Sequence, residues 1–267
     1  MNKIKIANDI IIDKNVDDSV EVILLEKNDF FNVNSVKIKV VKDTNLEIEY
    51  NNDEDVKIDI FINVLEGINF NLFEYRSGCK TKIQYKYYLE ENSTSLINKF
   101  YNSDSIQELD IINLNGVGAR IDYHFKTIST GPQKYDLMIY HNYANTISNI
   151  INNGVNINDG GLVFNITSVV LNGKKNCIIN QINRIITLND NKCEINPNLL
   201  IEENEVEANH SALIGRFSDE EMFYLQSRGI NERLALSLLI KGFLINELTI
   251  DEEKISKLSQ VIDSYWR

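Results

Sequence analysis

The stretch Ala208–Leu244, ANHSALIGRFSDEEMFYLQSRGINERLALSLLIKGFL, carries the clearest local signals in the chain. Ser218 and Glu221 have the spacing of a capping box, in which each side chain accepts a hydrogen bond from the backbone N–H of the other residue. The acidic residues that follow Ser218 suit the positive end of a helix dipole. Gly229 stands where a left-handed C-cap is expected, and Asn231 can cap a second helix. The pattern therefore predicts two short helices joined by a tight turn.

Upstream of this stretch, apolar and polar residues alternate with a period of two, as in 36–50 (VKIKVVKDTNLEIEY) and 56–64 (VKIDIFINV). Turn signals rich in Gly and Asn separate such runs from residue 36 to residue 208. Many short strands with regular turns are typical of a sandwich, a barrel or a β-helix. The length of the run and Asn-rich turns, such as those expected at Asn152–Asn153 and Asn176, favour the β-helix. Periodicity alone leaves the three folds open.

The chain ends in a third predicted helix, over residues 251–265. Ile255, Leu258 and Ile262 recur at the spacing of one helical face, and acidic residues fill the first turn. We therefore predict a mainly β protein with three parts, namely short N-terminal strands in 1–35, a strand-rich core in 36–208 and a helical segment in 209–267.

The segment around His210 resembles the C-terminal signature of the SufB/SufD family of iron–sulfur cluster assembly proteins, which runs roughly CSHGATxGxxDEEALFYLxSRGI. The matching residues are His210, Ala212, Gly215, Asp219, Glu220, Glu221, Phe223, Tyr224, Leu225, Ser227, Arg228, Gly229 and Ile230. Residues 145–150 are similar to the family's NTxSN segment, 115–119 to its GxGA turn, 160–164 to its GGxxxF turn and 181–190 to its QxxRxLLLSD strand. The resemblance implies a right-handed parallel β-helix core with a C-terminal α-helical segment, and it decides among the folds that periodicity leaves open.

The resemblance also implies that His210 lies where SufB-type and SufD-type subunits meet and where a nascent iron–sulfur cluster forms. Imidazole is a suitable ligand for iron, so His210 is the candidate cofactor-binding and metal-ligating residue. SufD-type sequences often carry Cys two residues earlier and SufB-type sequences carry Glu one residue later, but this chain has Ala208 and Ser211 there. A cluster needs several ligands. We therefore expect either a transient cluster shared with a partner subunit or no cluster at all.

The family binds SufC, an ABC-type ATPase, through its C-terminal helices, so the resemblance implies a docking surface for such an ATPase on the predicted helix pair. The candidate partner-binding residues are Phe223, Tyr224, Arg228, Gly229, Arg233, Leu234 and Leu238. Apolar helical residues can alternatively cap the end of a β-helix, which a solenoid needs for solubility. The two roles are compatible if one face packs inward and the other faces the partner.

The net charge of −12 argues against a nucleic-acid-binding protein, since the chain has no basic surplus to neutralise phosphates. Its cysteines, Cys79, Cys177 and Cys193, form no closely spaced metal-binding pair and suit a reducing compartment. No stretch has the pattern of a signal peptide or the length of a membrane span. We therefore expect a cytoplasmic protein without membrane contact. His141 and Cys193 are expected to be structural, and His124 lies in no motif.

The chain has no GxxxxGK[ST] loop, HExxH or GxSxG motif, so we expect neither ATP hydrolysis nor another enzymatic activity in it. Its predicted role is a SufD-like or SufB-like scaffold that works with a SufC-type ATPase and with a SufB-type subunit or a second copy of itself. Two alternatives stay open. One is a homodimeric SufB/D-like subunit of a reduced system, and the other is a β-helix binding module or polysaccharide-active protein, although no carboxylate pair stands out for the latter.

Overall fold

The computed structural model describes residues 2–7, 10–28, 33–50, 56–78, 81–157, 160–189 and 192–266. Over these ranges the chain is mainly β, with a long series of strands followed by helices. The strands are β1 (Asn2–Ala7), β2 (Ile10–Asn15), β3 (Val20–Asn28), β4 (Val33–Val40), β5 (Thr44–Tyr50), β6 (Val56–Val64), β7 (Asn69–Gly78), β8 (Thr81–Leu89), β9 (Thr94–Ser103), β10 (Ile106–Leu114), β11 (Arg120–Ser129), β12 (Gln133–His141), β13 (Ile147–Asn156), β14 (Leu162–Val170), β15 (Cys177–Thr187), β16 (Cys193–Ile201) and β17 (Val206–Gly215). The helices are α1 (Asp219–Ser227), α2 (Glu232–Ile245) and α3 (Glu252–Ser264).

From β4 onward, successive strands alternate between two sheets and run parallel to their neighbours within each sheet. The nine-stranded sheet has the order β17-β15-β13-β11-β9-β7-β5-β1-β2, and the eight-stranded sheet has the order β16-β14-β12-β10-β8-β6-β4-β3. Each strand thus pairs with the next strand but one along the chain. The result is a parallel β-helix of about six turns, which confirms the expected fold.

The two ends of this solenoid differ. At the N-terminal end, β2 runs antiparallel to β1 and β3 runs antiparallel to β4, so the short first strands close the first turn. At the other end, β16 and β17 are the last strands of their sheets, and within the described ranges no strand pairs with their outer edges. Strand β17 continues to Gly215, so the boundary expected between residues 208 and 209 falls inside this strand.

Alternate side chains of each strand point into the solenoid, as the period of two predicts. On the outside, side chains of successive turns lie in register and form amide ladders. On the nine-stranded sheet, Nδ2 of Asn149 donates to Oδ1 of Asp122 (2.6 Å), that of Asn180 to Asn149 (3.0 Å) and that of Asn209 to Asn180 (3.4 Å). A second ladder on the eight-stranded sheet joins Asp136, Asn165 and Asn196 in the same way, with distances of 2.6 and 2.8 Å.

The prediction of a turn at Asn152–Asn153 is wrong, because both residues lie within β13. Gly154, the next residue, faces the interior of the solenoid. A Cβ atom at this position would lie 2.3 Å from Cδ2 of Leu162 and 3.0 Å from Cζ of Phe164, so a larger residue would displace the core. Asn176 does occupy a turn, where its φ of 58° suits Asn.

The helices form a layer along the outer face of the nine-stranded sheet. Apolar side chains of α2, α3 and the loop between them pack on outward residues of five strands, and the buried members are Phe73, Tyr75, Phe100, Ile128, Val155, Ile186, Ile240, Leu244, Ile245, Leu248, Leu258 and Ile262. The layer therefore covers one side of the β-helix and does not cap its end. None of the described helices has the length and apolar character needed to span a bilayer.

The predicted signals at the helix ends are confirmed. Ser218 Oγ accepts from Glu221 N (3.2 Å) and Glu221 Oε2 accepts from Ser218 N (2.9 Å), which completes the capping box of α1. Gly229 follows α1 with a φ of 82°, and Asn231 caps α2 by accepting from Leu234 N (3.0 Å). The turn between the two helices is thus fixed by local chemistry.

Candidate functional site

His210 lies in the middle of β17, the last strand of the nine-stranded sheet. It pairs in register with Gln181 of β15, whose side chain is buried inside the solenoid. Paired residues of neighbouring parallel strands point to the same face of the sheet, so His210 continues an inward-facing column. Its side chain is nonetheless exposed, because β17 is the final strand of its sheet. We call this last turn, formed by β16 and β17, the open end.

The surroundings of His210 are polar rather than rich in metal ligands. Nε2 of Gln181 donates to Ser168 Oγ (2.8 Å), and Nδ2 of Asn183 donates to the backbone oxygen of Ser211 (3.4 Å). Among the residues that the structure describes, no group of three or more His, Cys, Asp or Glu side chains is placed to hold a metal ion. A cluster bound at His210 would therefore need further ligands from outside this set of residues.

The other candidate histidines lie within the fold. His141 is buried at the end of β12, with its ring nitrogens 2.8 Å from Thr146 Oγ1 and 2.9 Å from Ser148 Oγ. Burial lowers the pKa of His141 to about 4, so its ring is neutral at physiological pH and has a structural role, as expected. His124 lies half-buried on the outer face of β11, where burial lowers its pKa as well.

The cysteines are separate from one another. Cys177 is buried at the start of β15. Cys193, for which the sequence predicts a structural role, is only partly buried, because β16 is the last strand of its sheet. Nδ2 of Asn156 lies 3.6 Å from its sulfur, and burial raises the pKa of the thiol, so Cys193 is not an activated thiolate. Cys79 lies outside the described residues.

The helix pair presents apolar and charged side chains to solvent, with acidic residues in the first turns and exposed Arg228 and Arg233 beside the apolar residues. α1 has no buried side chain. Phe223 and Tyr224 in α1 are 71% and 58% exposed, and Leu234 and Leu238 in α2 are 47% and 40% exposed. We call the exposed side chains of this pair the docking surface, which comprises Phe223, Tyr224, Arg228, Arg233, Leu234 and Leu238.

Arg228 and Gly229 shape the turn within this surface. The guanidinium carbon of Arg228 lies 5.2 Å from the centre of the Tyr224 ring, close enough for a cation–π contact. Gly229 has no atom within 4 Å of the position where a Cβ would stand. The requirement for Gly therefore comes from its positive φ and not from lack of space.

The structure also contains a group of charged side chains inside the solenoid that the sequence pattern alone did not reveal. We call it the interior network; it comprises Glu74 and Arg76 of β7, Lys99 of β9, and Glu108 and Asp110 of β10, all of them buried. Arg76 contacts Glu74 (2.5 Å) and Glu108 (3.0 Å). Lys99 Nζ lies 2.7 Å from Glu108 Oε1 and 2.6 Å from Asp110 Oδ2. These ion pairs connect the two sheets from within.

The interior network holds more carboxyl groups than cations, and a proton reduces the difference. Burial, opposed by Lys99 and reinforced by the Glu108 charge, raises the pKa of Asp110 to about 8. Burial also disfavours the charged form of Glu108, but Lys99 and Arg76 outweigh it and hold the pKa of Glu108 below its usual range. At neutral pH Asp110 therefore keeps its proton, which lowers the excess of negative charge inside the solenoid.

A sequence signal for this network does exist. Phe70, Leu72, Glu74 and Arg76 alternate along β7, so the period that places Phe70 inside also places the two charged residues inside. Aromatic neighbours make the burial of Arg76 possible, since its guanidinium carbon lies 4.4 Å from the Tyr50 ring centre. Because every charge is paired and sealed from solvent, the network is a structural element and not a site open to a substrate.

Comparisons with known proteins agree with this architecture. The family model for the SUF system FeS cluster assembly SufBD core domain matches residues 83–243. The iron–sulfur cluster assembly protein SufD of Bacillus subtilis is 31% identical over 164 residues, which are 59% of this chain and 37% of that protein. The SufBD family protein of Mycobacterium leprae is 48% identical over 65 residues, which are 24% of this chain and 17% of that protein. The SufBD family protein of Pyrococcus horikoshii is 43% identical over 53 residues, which are 20% of this chain and 12% of that protein. The region shared with the Bacillus protein is thus little more than a third of that protein's length.

Proposed function

This chain belongs to the SufBD family of iron–sulfur cluster assembly proteins and is a homologue of SufD, and on that basis we propose that it is a SufD-like scaffold subunit that works with a SufC-type ABC ATPase. Its other partner in this proposal is a SufB-type subunit. The chain acts without catalytic activity of its own, the ATPase hydrolyses ATP, and the complex works in the cytoplasm. The observation that carries the proposal is the exposed His210 on β17, whose outer edge has no strand partner among the described residues.

The open end has the properties of a pairing surface. Edge strands offer rows of unpaired N–H and C=O groups to another strand, and proteins normally cover such edges. Apolar side chains accompany the edge here, since Leu200, Leu213 and Ile214 are all exposed. A partner solenoid that added its own strands to β16 and β17 would satisfy these groups, bury the apolar side chains and enclose His210.

The ligand set favours a SufB-type partner over a second copy of this chain. The cluster is cargo that passes through the assembly, and it needs several ligands. Two copies of this chain would bring two imidazoles from His210, with Ala208 and Ser211 where related proteins carry Cys or Glu. A partner that contributes thiolate or carboxylate would complete the set. The polysaccharide-active alternative gains no support from the comparisons.

The docking surface supports the second partnership. An isolated helix of nine residues is marginal in water, and α1 has no fully buried side chain. Exposed Phe and Tyr with nearby Arg are the residue types that dominate binding energy in protein interfaces. A SufC-type ATPase with an apolar groove and an acidic rim would match Phe223, Tyr224 and the neighbouring Arg228 and Arg233.

The test is co-expression of the chain with a SufC-type ATPase and a SufB-type subunit, followed by co-purification, mass determination and iron analysis. We expect a complex that contains all three proteins. His210→Ala should leave the complex intact and lower its iron content, because only a cluster ligand is removed. Phe223→Ala/Tyr224→Ala should release the ATPase and leave the SufB-type partner bound.

The matched control is Tyr143→Ala, which removes an exposed aromatic side chain from a turn between β12 and β13. It should change neither partnership. Failure of the parent chain to bind either protein would overturn the proposal. ATP hydrolysis by the purified chain alone, or a complete cluster held by the isolated monomer, would contradict its role as a non-catalytic scaffold with one ligand.

A further inference from the structure

We propose that Lys126, Asn153 and Glu247 form a clamp that transmits movement from the docking surface to the open end of the solenoid. The proposal rests on the proposed function, because it assigns positioning residues to the response that a bound ATPase would produce. It concerns the base of α2, to which the sequence pattern assigned no role. The clamp joins the helical layer to the sheet that carries His210.

The clamp is built from two neighbouring strands and one loop. Lys126 of β11 and Asn153 of β13 are paired in register on the outer face of the nine-stranded sheet. Nζ of Lys126 lies 2.7 Å from Oε2 of Glu247, just beyond the end of α2. Nδ2 of Asn153 donates to the same Oε2 (3.2 Å) and to the backbone oxygen of Phe243 (2.9 Å). The carbonyl of Phe243 is one of the last in α2 and has no partner within the helix.

The cation of this contact lies where a charge is costly, whereas the side chain of Glu247 is 38% exposed. The Lys126 side chain is fully buried, and burial lowers its pKa even though Glu247 pulls the other way. A buried cation of this kind has to keep its carboxylate partner. Apolar contacts are non-directional, whereas an ion pair and two amide hydrogen bonds have a defined geometry. The clamp therefore holds the angle of α2 relative to the sheet.

Lys126 and Asn153 belong to a longer row that crosses the sheet. The paired residues, strand by strand, are Glu49, Tyr75, Phe100, Lys126, Asn153, Arg184 and Leu213. We call this row the outer column. Helical residues contact it along its length, since Lys257 lies 3.6 Å from Glu49 and 4.3 Å from the Tyr75 ring centre, and Arg184 lies 5.1 Å from the Phe243 ring centre.

The outer column ends on β17, the strand that carries His210. Its last member, Leu213, lies in β17 together with His210. α2 spans roughly 20 Å at about 1.5 Å per residue, with exposed Leu234 and Leu238 in its first half and the clamp just beyond its end. A force applied to the docking surface thus reaches the outer column through the clamp and reaches β17 along the paired strands.

The experiment measures hydrogen exchange by mass spectrometry in the full chain bound to a SufC-type ATPase, with and without a non-hydrolysable ATP analogue. In the parent chain we expect nucleotide to change the exchange of residues 206–215 as well as that of α1 and α2. In Lys126→Met, the ATPase should bind within about twofold of the parent affinity, while the change in residues 206–215 falls about fivefold.

A double variant separates transmission from stability. Lys126→Met/Glu247→Met replaces the ion pair by apolar groups, which proteins often tolerate without loss of stability. It should therefore fold and bind the ATPase, but nucleotide should no longer change the hydrogen exchange of residues 206–215. This double variant replaces the single variant in the experiment if Lys126→Met does not fold. Lys42→Met is the control, because it removes an ion pair with Asp18 that lies at the surface and away from residues 206–215.

Each outcome decides a separate question. A parent-like nucleotide response of residues 206–215 in either clamp variant would overturn the proposal. So would the absence of any such response in a parent chain that binds the ATPase. If the parent chain does not bind the ATPase at all, the proposed function fails and this inference fails with it.

Discussion

Lys99 of β9 lies 2.6 Å from Asp110 of β10, so that an ammonium group of one sheet meets a carboxyl group of the other inside the solenoid. Tyr123 donates a hydrogen bond to the same oxygen of Asp110 (2.6 Å). The two sheets are therefore joined by polar contacts at a depth where apolar contacts usually act alone. This relationship makes the stability of the fold depend on pH and on single charges.

Asp110→Asn should remove much of that pH dependence. The pKa of Asp110 is raised to about 8 in the folded chain from an ordinary value of 3.8, so the folded state binds a proton that the unfolded state has released. Stability should then fall as pH rises through this window, by up to about 1.4 kcal/mol per pH unit. The asparagine variant has no proton to lose and should be flatter between pH 7 and 8, above the range in which unfolding lets His141 and His124 take up protons.

The measurement is urea denaturation of both proteins at several pH values in that window. The low pKa of Glu108 contributes with the opposite sign, but only at pH values below its ordinary 4.5, outside the range used. Asp18→Asn, at an exposed position, is the control and should follow the parent. Equal slopes for the parent and Asp110→Asn would show that Asp110 is ionised in the folded chain.

Lys99→Met should be strongly destabilising. The substitution leaves the buried carboxyl groups of Glu108 and Asp110 without the ammonium that contacts both. Breaking a buried ion pair from one side typically costs about 3–5 kcal/mol. Denaturant unfolding should show this loss, whereas Lys175→Met, at an exposed pair, should unfold like the parent. A Lys99→Met protein of unchanged stability would mean that the network is not formed in solution.

Gly229→Val should disable the docking surface without unfolding the solenoid. The native φ of 82° forces a β-branched residue into the left-handed region, at a cost of roughly 1–2 kcal/mol. α1 should then lose its position relative to α2, and binding of a SufC-type ATPase should fall. Retained binding by a folded variant would refute the assignment of this turn to the docking surface.

The control for that substitution is Gly242→Ala. Gly242 lies inside α2 with no atom within 4 Å of the point where a Cβ would be attached, and its φ is not in the left-handed region. Alanine should stabilise the helix by about 0.5–1 kcal/mol and leave binding unchanged. Thermal melting and a pull-down of both variants provide the comparison.

Ser218→Ala should affect α1 alone. The capping hydrogen bond of Ser218 is worth about 1 kcal/mol to a helix, and α1 has no fully buried side chain, so we expect its unfolding to leave the core in place. Hydrogen exchange should become faster in residues 219–227, while the midpoint of global unfolding stays unchanged. A shifted midpoint would instead show that α1 supports the β-helix.

Much of this architecture can be predicted from local sequence. The period of two assigns inward and outward faces correctly through most of the solenoid, because side chains on a strand alternate regardless of what they contact. Ser218, Gly229 and Asn231 mark the helix ends correctly, because capping depends on residues a few positions apart. These are local properties, and they survive whatever the tertiary fold.

The features that local sequence did not predict depend on contacts between distant turns. Asn152–Asn153 next to Gly154 has the composition of a turn, yet the need for space beside Phe164 of β14 places that Gly in a strand. The charge of Arg76 predicts exposure until its partners on other turns are known. The helices were expected to cap an end or to face a partner, and their position along one side follows from the outward apolar residues of five different strands.

The outer amide ladders have a direction, and it is imposed at their first rung. A carboxylate can only accept, so Asp122 and Asp136 force the amide stacked on each of them to turn its NH₂ group backwards along the solenoid. Every later amide repeats that orientation. The last amide of each ladder, on Asn209 in one sheet and on Asn196 in the other, therefore directs its side-chain oxygen towards the open end. An identical copy stacked ladder to ladder would set lone pairs against lone pairs. Donor groups such as those of lysine, arginine or a reversed amide would extend both rows at those two positions, so two carboxylates at the first rungs set which chemical groups the far end of the molecule can accept.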